Sequence, residues 1–149
     1  MQTTSINPHL NVMKEIIQRS DCPISFSLDF IGDKWVLLIL RDLIFTNKKS
    51  YGDFLTSAEK IATNILADRL KLLESNGFIQ SVASPEKKNK FLYSLTKKGI
   101  DLIPAIVELT LWGAKYSPFD KSEMVQKLKK DKAETIKQIM DQLEKDTKI

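Results

Sequence analysis

Residues that build most catalytic and metal centres are scarce in this sequence. It contains one cysteine, Cys22, one histidine, His9, and five glycines that do not cluster. A single cysteine excludes an internal disulfide framework, and one cysteine with one histidine is too few for a zinc site. The sequence also offers no paired carboxylates on one face, no phosphate-binding glycine loop and no Ser–His or Cys–His set. We therefore expect no enzyme, no metal and no cofactor.

Long apolar runs are missing as well. The longest apolar clusters, residues 35–40 and 106–113, fall short of the roughly 18 to 20 residues that a membrane helix needs. The N-terminus lacks the basic-then-apolar order of a signal peptide. We expect a cytoplasmic protein without a membrane partner. Its 149 residues, 42% hydrophobic and 28% charged, suffice for one domain with an appended helix, and the net charge of +4 favours an acidic partner such as nucleic acid.

Apolar residues at helical spacing predict a chain that is mainly α. Local signals set the boundaries: Pro23 opens a helix, Asp33 and Ser50 cap the next two, and Thr96 caps a later one that Pro104 should kink or split. The predicted helices span residues 9–19, 24–31, 34–45, 51–55, 59–78, 96–115 and 121–148.

Burial along these helices can also be predicted. Helix 34–45 is apolar nearly all round, so it should be the buried central helix, with Arg41 and Asp42 on its narrow wet side. Leu109, with Trp112 or Leu111, should lie on the inner face of helix 96–115. The tryptophans, among them Trp35, are expected in the core, or else in a small pocket at a dimer seam.

The stretch 59–99 carries the strongest functional signal. Residues 59–78 predict an amphipathic helix that Gly77 ends, and its part 61–76 would be the DNA-reading helix. Residues 79–83 and 91–95 predict two strands around a lysine-rich loop. Such a helix can enter the major groove while the basic hairpin lies on the phosphates beside it. The predicted fold class is α+β, a mainly α winged helix-turn-helix with a small two-stranded β wing.

The outward face of the reading helix supplies candidate DNA contacts. Asn64 can make two hydrogen bonds to an adenine edge, and Thr63 can meet a thymine methyl group or a phosphate. Arg69 can reach backbone or base, or pair with a neighbouring acid. Asp68 can orient Arg69, Lys71 or a protein partner. The full predicted DNA-binding set is Ser50, Tyr51, Thr63, Asn64, Asp68, Arg69, Lys71, Lys87, Lys88 and Lys90.

The predicted helix and the lysine-rich loop each have a simpler explanation than DNA binding. The helix alone fits a solvated amphipathic helix, and the lysines alone fit a solvated loop. Helix and basic ribbon in this order, with Lys97 and Lys98 at the ribbon's base, favour DNA binding. The alternative function is a winged helix that serves as a protein-interaction module without specific DNA binding, and the wing lysines argue against it.

The run from 22 to 112 resembles the HxlR-type branch of the MarR-like winged helix regulators. The matching segments are CPISFSLDFIGDKWVLLILRDL (22–43), YGDFLTSAEKIATNILADRLKLLESNGFI (51–79) and YSLTKKGIDLIPAIVELTLW (93–112). The resemblance implies a homodimeric bacterial transcription factor on an inverted repeat of double-stranded DNA. It also implies dimerisation by the terminal helices, and hence an N-terminal arm at 1–20, a winged domain at 21–117 and a C-terminal helix at 118–149.

Two departures from the family pattern stand out. Ala62 takes the place where many relatives have a serine cap, which leaves Thr63 as the alternative cap of the reading helix. Gln80 stands where relatives often carry an arginine, so the first wing strand should hold phosphate less tightly.

Cys22 is the clearest regulatory candidate. In several members that look like this chain, a cysteine just before the first core helix senses oxidants or electrophiles. The thiol precedes a predicted helix N-terminus, which favours the thiolate, and it could then form an intersubunit or a mixed disulfide. The plainer alternative is that Cys22 is a small apolar filler. An oxidant or a small molecule is therefore the expected kind of effector.

Overall fold

The computed structural model describes residues 19–147, which form eight helices and one two-stranded antiparallel sheet. The predicted helix 9–19, with His9, lies outside the described residues except for Arg19. The elements in chain order are α1 (Pro23–Ile31), α2 (Lys34–Phe45), α3 (Tyr51–Leu55), α4 (Thr63–Ser75), β1 (Ile79–Ala83), β2 (Phe91–Leu95), α5 (Lys97–Ile100), α6 (Ile103–Tyr116), α7 (Glu123–Lys130) and α8 (Lys132–Thr147).

Helix starts follow the local chemistry in most places. The Asp33 carboxylate caps α2 by accepting from the backbone N–H groups of Trp35 and Val36 at 2.8 and 3.1 Å. Thr96 caps α5, as predicted. The reading helix begins later than predicted, because Lys60 has a left-handed φ of 53° and Ala62 is still extended. Ala62 is the N-cap, so the prediction that Thr63 caps this helix is wrong.

The core forms around α2, as its all-round apolar sequence predicts. Val36, Ile39 and Leu40 pack against the inner stripe of α4, which consists of Leu66, Leu70 and Leu73. Asp42 departs from the prediction of a wet side, since its side chain is only 3% exposed. It lies inside because Ser57 donates to one of its oxygens and Arg41 to the other.

A Schellman-type end connects α4 to the wing. Gly77 has a φ of 78°, and the backbone N–H of Phe78 donates to the carbonyl of Leu73 at 2.9 Å. Phe78 is thereby buried against the ring of Phe30. Strands β1 and β2 pair with Ile79 opposite Leu95 and Ala83 opposite Phe91, at the predicted residues.

Pro104 splits the predicted helix 96–115 into α5 and α6. It occupies the first turn of α6, where its missing N–H is not needed. The inner face of α6 is formed by Ile106 and Val107, whereas Leu109 and Trp112 face outward. The prediction that Leu109 lies inside is therefore wrong, and of the two alternatives Trp112 and Leu111 it is Leu111 that packs, half-buried, against the core.

The C-terminal region forms two helices instead of one. The break falls at Asp131, whose backbone is extended and whose carboxylate accepts from the N–H of Glu134 at 3.1 Å, so it caps α8. The apolar side of α7 and α8 packs onto the core of the same chain; it comprises Met124, Val125, Leu128, Ile136, Ile139, Met140 and Leu143.

Candidate nucleic-acid interface

Helix α4 presents a polar outer face. Its buried stripe of Leu66, Leu70 and Leu73 fixes the helix on α2 and α3. The opposite side is exposed and carries Thr63, Asn64, Ala67, Asp68 and Lys71. Four of these five residues belong to the predicted DNA-binding set, and α4 brings them together on one surface.

The N-terminus of α4 is held by α3. The Tyr51 hydroxyl donates to the carbonyl of Thr63 at 2.8 Å, so Tyr51 positions the first turn of the reading helix. Ser50 is 2% exposed, and its hydroxyl accepts from the N–H of Asp53 at 3.1 Å. The Asp53 carboxylate accepts in return from the N–H of Ser50, which completes a capping box. The structure thus does not place Ser50 on the surface, and its predicted role as a DNA contact is replaced by that of a cap.

Arg69 turns away from the outer face of α4. Its guanidinium donates to the Asp33 carboxylate at 3.0 Å and also to Asp68. The hydrogen bond from Arg69 holds the pKa of Asp33 below its usual value, and the bond to Asp33 raises the pKa of Arg69. Of the roles considered for Arg69 and Asp68, pairing with a neighbouring acid and orienting Arg69 are the ones observed.

The wing exposes its lysines. Lys87, Lys88 and Lys90 are all exposed in the loop between β1 and β2. Within residues 19–147, neither these three nor Lys71 has an acidic oxygen within 4.0 Å. Their ammonium groups can therefore meet phosphates without breaking an internal ion pair.

The lysines at the base of the wing have internal partners. Lys97 pairs with Asp101 and Glu144. Lys98 donates to the carbonyl of Asn76 at 2.8 Å and lies over the ring of Phe78, and burial lowers its pKa. Lys97 thus connects α5 to α8, and Lys98 connects α5 to the end of α4. The i, i+4 spacing of Lys97 and Asp101 is the sequence signal that could have indicated this role.

A polar network that sequence reasoning missed fixes the turn between α3 and α4. Arg41 donates to both Asp42 and Glu59, Ser57 donates to Asp42, and Lys48 donates to Ser57 at 2.7 Å. The hydrogen bond from Arg41 lowers the pKa of Glu59 from 4.5 to about 2. The network joins α2 to the turn, so it sets where α4 starts.

Gln80 and Cys22 have well-defined surroundings. The Gln80 amide donates across the ladder to the Ser94 hydroxyl at 3.3 Å. Cys22 is exposed and unpaired at the N-cap of α1, with no side-chain cap bond.

Two further properties concern the described part of the chain. Between Arg19 and Thr147, no three His, Cys, Asp or Glu side chains gather as a metal site would require. None of the helices in that range is both long enough and apolar enough to span a bilayer.

Comparison with known proteins identifies the family. The model of the HxlR-like helix-turn-helix matches residues 30–121. The chain belongs to this family. It is 36% identical over 107 residues to the HTH-type transcriptional regulator YdeP of Bacillus subtilis, covering 71% of this chain and 83% of YdeP. It is 32% identical over 93 residues to the regulator sll1512 of Synechocystis, covering 62% and 68% of the two chains.

A solved structure shows the same fold. The redox regulator HypR in its reduced form superposes with a TM-score of 0.57 at 28% identity, covering 63% of this chain and 92% of HypR. Its oxidized form gives a TM-score of 0.58 at 29% identity, with 64% and 98% covered. The protein is thus a DNA-binding transcription regulator with a winged helix-turn-helix, and the resemblance and the fold class predicted from sequence are confirmed.

Proposed function

We propose that the protein binds an inverted-repeat operator as a homodimer and that α4 of each subunit enters one of two successive major grooves. The observation that supports this most directly is the polar face of α4, exposed opposite the buried leucine stripe and beside a wing with unpaired lysines. The two half-sites should be centred about 10 base pairs apart, or a multiple of that distance. The regulator would act in the cytoplasm, where its operator lies.

Within each half-site, different residues contact the bases, contact the phosphates or position α4. Asn64 reads an adenine edge, and Thr63 and Lys71 meet the neighbouring base or phosphate. Ala62 has no side-chain oxygen, so the first N–H groups of α4 remain available for a DNA phosphate. Lys87, Lys88 and Lys90 neutralise flanking phosphates. Arg69 and Tyr51 act by positioning α4.

The dimer seam follows from the exposed apolar surface. Ile24 and Leu28 on α1 face outward, and so do Leu109, Trp112 and Tyr116 on α6. A single chain rarely leaves so many large apolar side chains exposed, and a second copy of this chain would cover them. We therefore assign the seam to α1 and the outer face of α6, because their large apolar side chains are exposed whereas those of α8 are half-buried against the core of their own chain.

The Cys22 thiol lies next to the proposed dimer seam. It precedes α1 directly and is exposed, and HypR is named a redox regulator. With a thiol-specific azo oxidant such as diamide, two thiols form one S–S bond while the N=N bond of the oxidant accepts two electrons and two protons and becomes a hydrazine. The second thiol comes from the partner subunit or from a small thiol. Either product changes the α1 surface in the seam and thereby the spacing of the two α4 helices.

Fluorescence anisotropy of the full chain tests this function. The duplex upstream of its own gene is compared with a scrambled duplex across a salt series, with and without diamide. We expect tight binding to the native duplex alone, weakened by diamide in the wild type but not in Cys22→Ser. Equal, weak and salt-sensitive binding to both duplexes would instead favour the protein-interaction module. Specific binding that diamide does not change would contradict the redox role of Cys22 and would still support the DNA-binding regulator.

A further inference from the structure

The C-terminal helices enclose a groove that the DNA-binding function does not use. It lies between the end of α2 and the facing sides of α7 and α8, with a volume of about 550 Å³. That volume falls in the usual range for small-molecule sites, about 300 to 1,000 Å³. The family match ends at residue 121, so α7 and α8 form a wall outside the matched region. The floor is apolar and consists of Leu43, Ile44, Phe45, Met124, Ile139 and Leu143.

The rim of the groove is polar and carries two ammonium groups, each beside a carboxylate. Lys127 pairs closely with Glu123, at 3.0 Å, whereas Lys49 faces Asp146, the one carboxylate of the lining. The Nζ of Lys49 lies 3.7 Å from an Asp146 oxygen, which is longer than a hydrogen bond. The amides of Asn47, Gln138 and Gln142 complete the rim. A cation this loosely paired can accept a second carboxylate at little cost.

We propose that this groove binds an organic monocarboxylate with an apolar body, placing the carboxylate on Lys49 and the body on the floor. The proposal rests on the regulatory function above and names the class of its effector. A wholly apolar ligand would leave the loosely paired Lys49 unused. A dianion would exceed what Lys49 can balance beside Asp146, because Lys127 already pairs with Glu123. An aromatic body suits the floor, since Phe45 and the Met124 thioether both pack well against rings.

Lys49 connects the groove to the DNA-binding head. Its backbone N–H donates to the Asp53 carboxylate of the α3 capping box at 3.2 Å. Its carbonyl accepts from the N–H of Tyr93 in the wing at 2.7 Å. On the opposite wall, the hydroxyl of Thr147 donates to the carbonyl of Leu95 at 3.0 Å. A ligand held by Lys49 and α8 therefore contacts the segments that position α3 and the wing, so ligand binding and operator binding are linked.

The test uses 4-phenylbutyrate as the probe, titrated into the 15N-labelled full chain without DNA. We expect saturable amide shifts that are centred on Asn47, Gln138 and Gln142. The Kd should rise about ten-fold in Lys49→Gln, because a hydrogen bond to a charged group is lost. Lys137→Gln removes the same charge from a side of α8 that does not line the groove and should leave the Kd unchanged. The neutral 4-phenylbutyramide should bind about ten-fold more weakly.

A second variant tests the position of the site without removing charge. Gln138 is an exposed rim residue, so Gln138→Trp fills the groove and should abolish the shifts, whereas Lys137→Trp should not. The proposal is overturned if no saturable shifts occur, if they centre on Trp112 and the outer face of α6, or if amide and carboxylate bind equally. Operator binding is measured separately without the probe. If the protein binds its operator but not the probe, only the ligand proposal is rejected. If it binds the probe but not its operator, only the DNA-binding proposal is rejected.

Discussion

The Asp33 carboxylate binds two helices at once, because one oxygen caps α2 and the other accepts from Arg69 of α4 at 3.0 Å. The reading helix is thereby tied to the start of the central helix, next to α1 and the proposed dimer seam. A change in the α1 region can reach α4 through this pair without crossing the core.

Asp33 therefore has two separable roles. Asp33→Asn keeps a good N-cap but loses the charge that faces Arg69, and it should lower the free energy of unfolding by less than about 1 kcal/mol, because the pair is partly exposed. Asp33→Ala loses both roles and should cost about 1 to 2 kcal/mol. Urea unfolding at neutral pH measures the difference. Equal losses for the two variants would show that the N-cap contributes nothing, and an Asp33→Asn variant as stable as the wild type would show that the ion pair contributes nothing.

Asn64 should read one position of each half-site. Asn64→Ala should reduce the discrimination between bases at that position by about 1 to 3 kcal/mol. The order of affinities for operators with base changes at other positions should stay the same. Competition binding to a set of single-base operator variants measures this. Ser75→Ala, at the far end of α4, is the control and should leave the profile intact. An unchanged profile in Asn64→Ala would move the reading face elsewhere on α4.

The wing lysines should act without sequence preference. Lys88→Ala should weaken operator and scrambled duplex alike and reduce the slope of log K against log salt by about 0.9, since one phosphate contact is lost. Anisotropy titrations at several salt concentrations give the slope. Lys137→Ala removes the same charge from α8 and should not change it. A slope that stays at the wild-type value in Lys88→Ala would place this lysine off the DNA.

Local patterns predicted much of the fold from the sequence. The caps at Asp33 and Thr96, the end at Gly77 and both wing strands depend on neighbouring residues, so the sequence shows them directly. The break at Asp131 had a signal too, an acid three residues before Glu134, typical of an N-cap. Asp42 could not be placed, because its burial depends on Ser57, fifteen residues later in a turn.

The candidate site could be predicted only in part, for a similar reason. Exposed positions such as Asn64 and Lys88 follow from helical spacing and loop position. The exposure of Trp112 could not be predicted in this way. An apolar stripe on a helix indicates that another surface covers it, but it does not show whether that surface belongs to the same chain or to a second copy. The sequence predicts Ser50 and Arg69 as DNA contacts, because their internal partners, Asp53 and Asp33, become visible only once the elements are packed.

Stability should depend on pH through Glu59. The folded-state pKa of about 2 lies below the usual 4.5, because Arg41 donates to the carboxylate. The resulting stabilisation is therefore fully present above pH 4.5 and is lost as the pH falls towards 2. Glu59 is partly exposed, so we expect a contribution below about 1 kcal/mol.

Glu59→Gln isolates this contribution. The variant should be less stable than the wild type at pH 7, and the difference should shrink by pH 3 in urea unfolding. Glu86→Gln, in the exposed wing loop, is the matched control and should follow the wild type at both pH values. A Glu59→Gln difference that is the same at pH 7 and pH 3 would contradict the Arg41 pairing as its source.

Trp112 should hold the two subunits together. The residue is 67% exposed on the outer face of α6, and its ring lies tilted beside that of Tyr116, with ring centroids 5.2 Å apart. Trp112→Glu puts a charge where the partner's apolar surface would lie, and an unpaired buried charge costs far more than the lost area. Sedimentation should show a dimer for the wild type and a monomer of unchanged helical content for the variant. Val82→Glu places the same charge on an exposed apolar position of the wing and should remain dimeric. If the Trp112→Glu variant remains dimeric, the dimer interface does not include the outer face of α6.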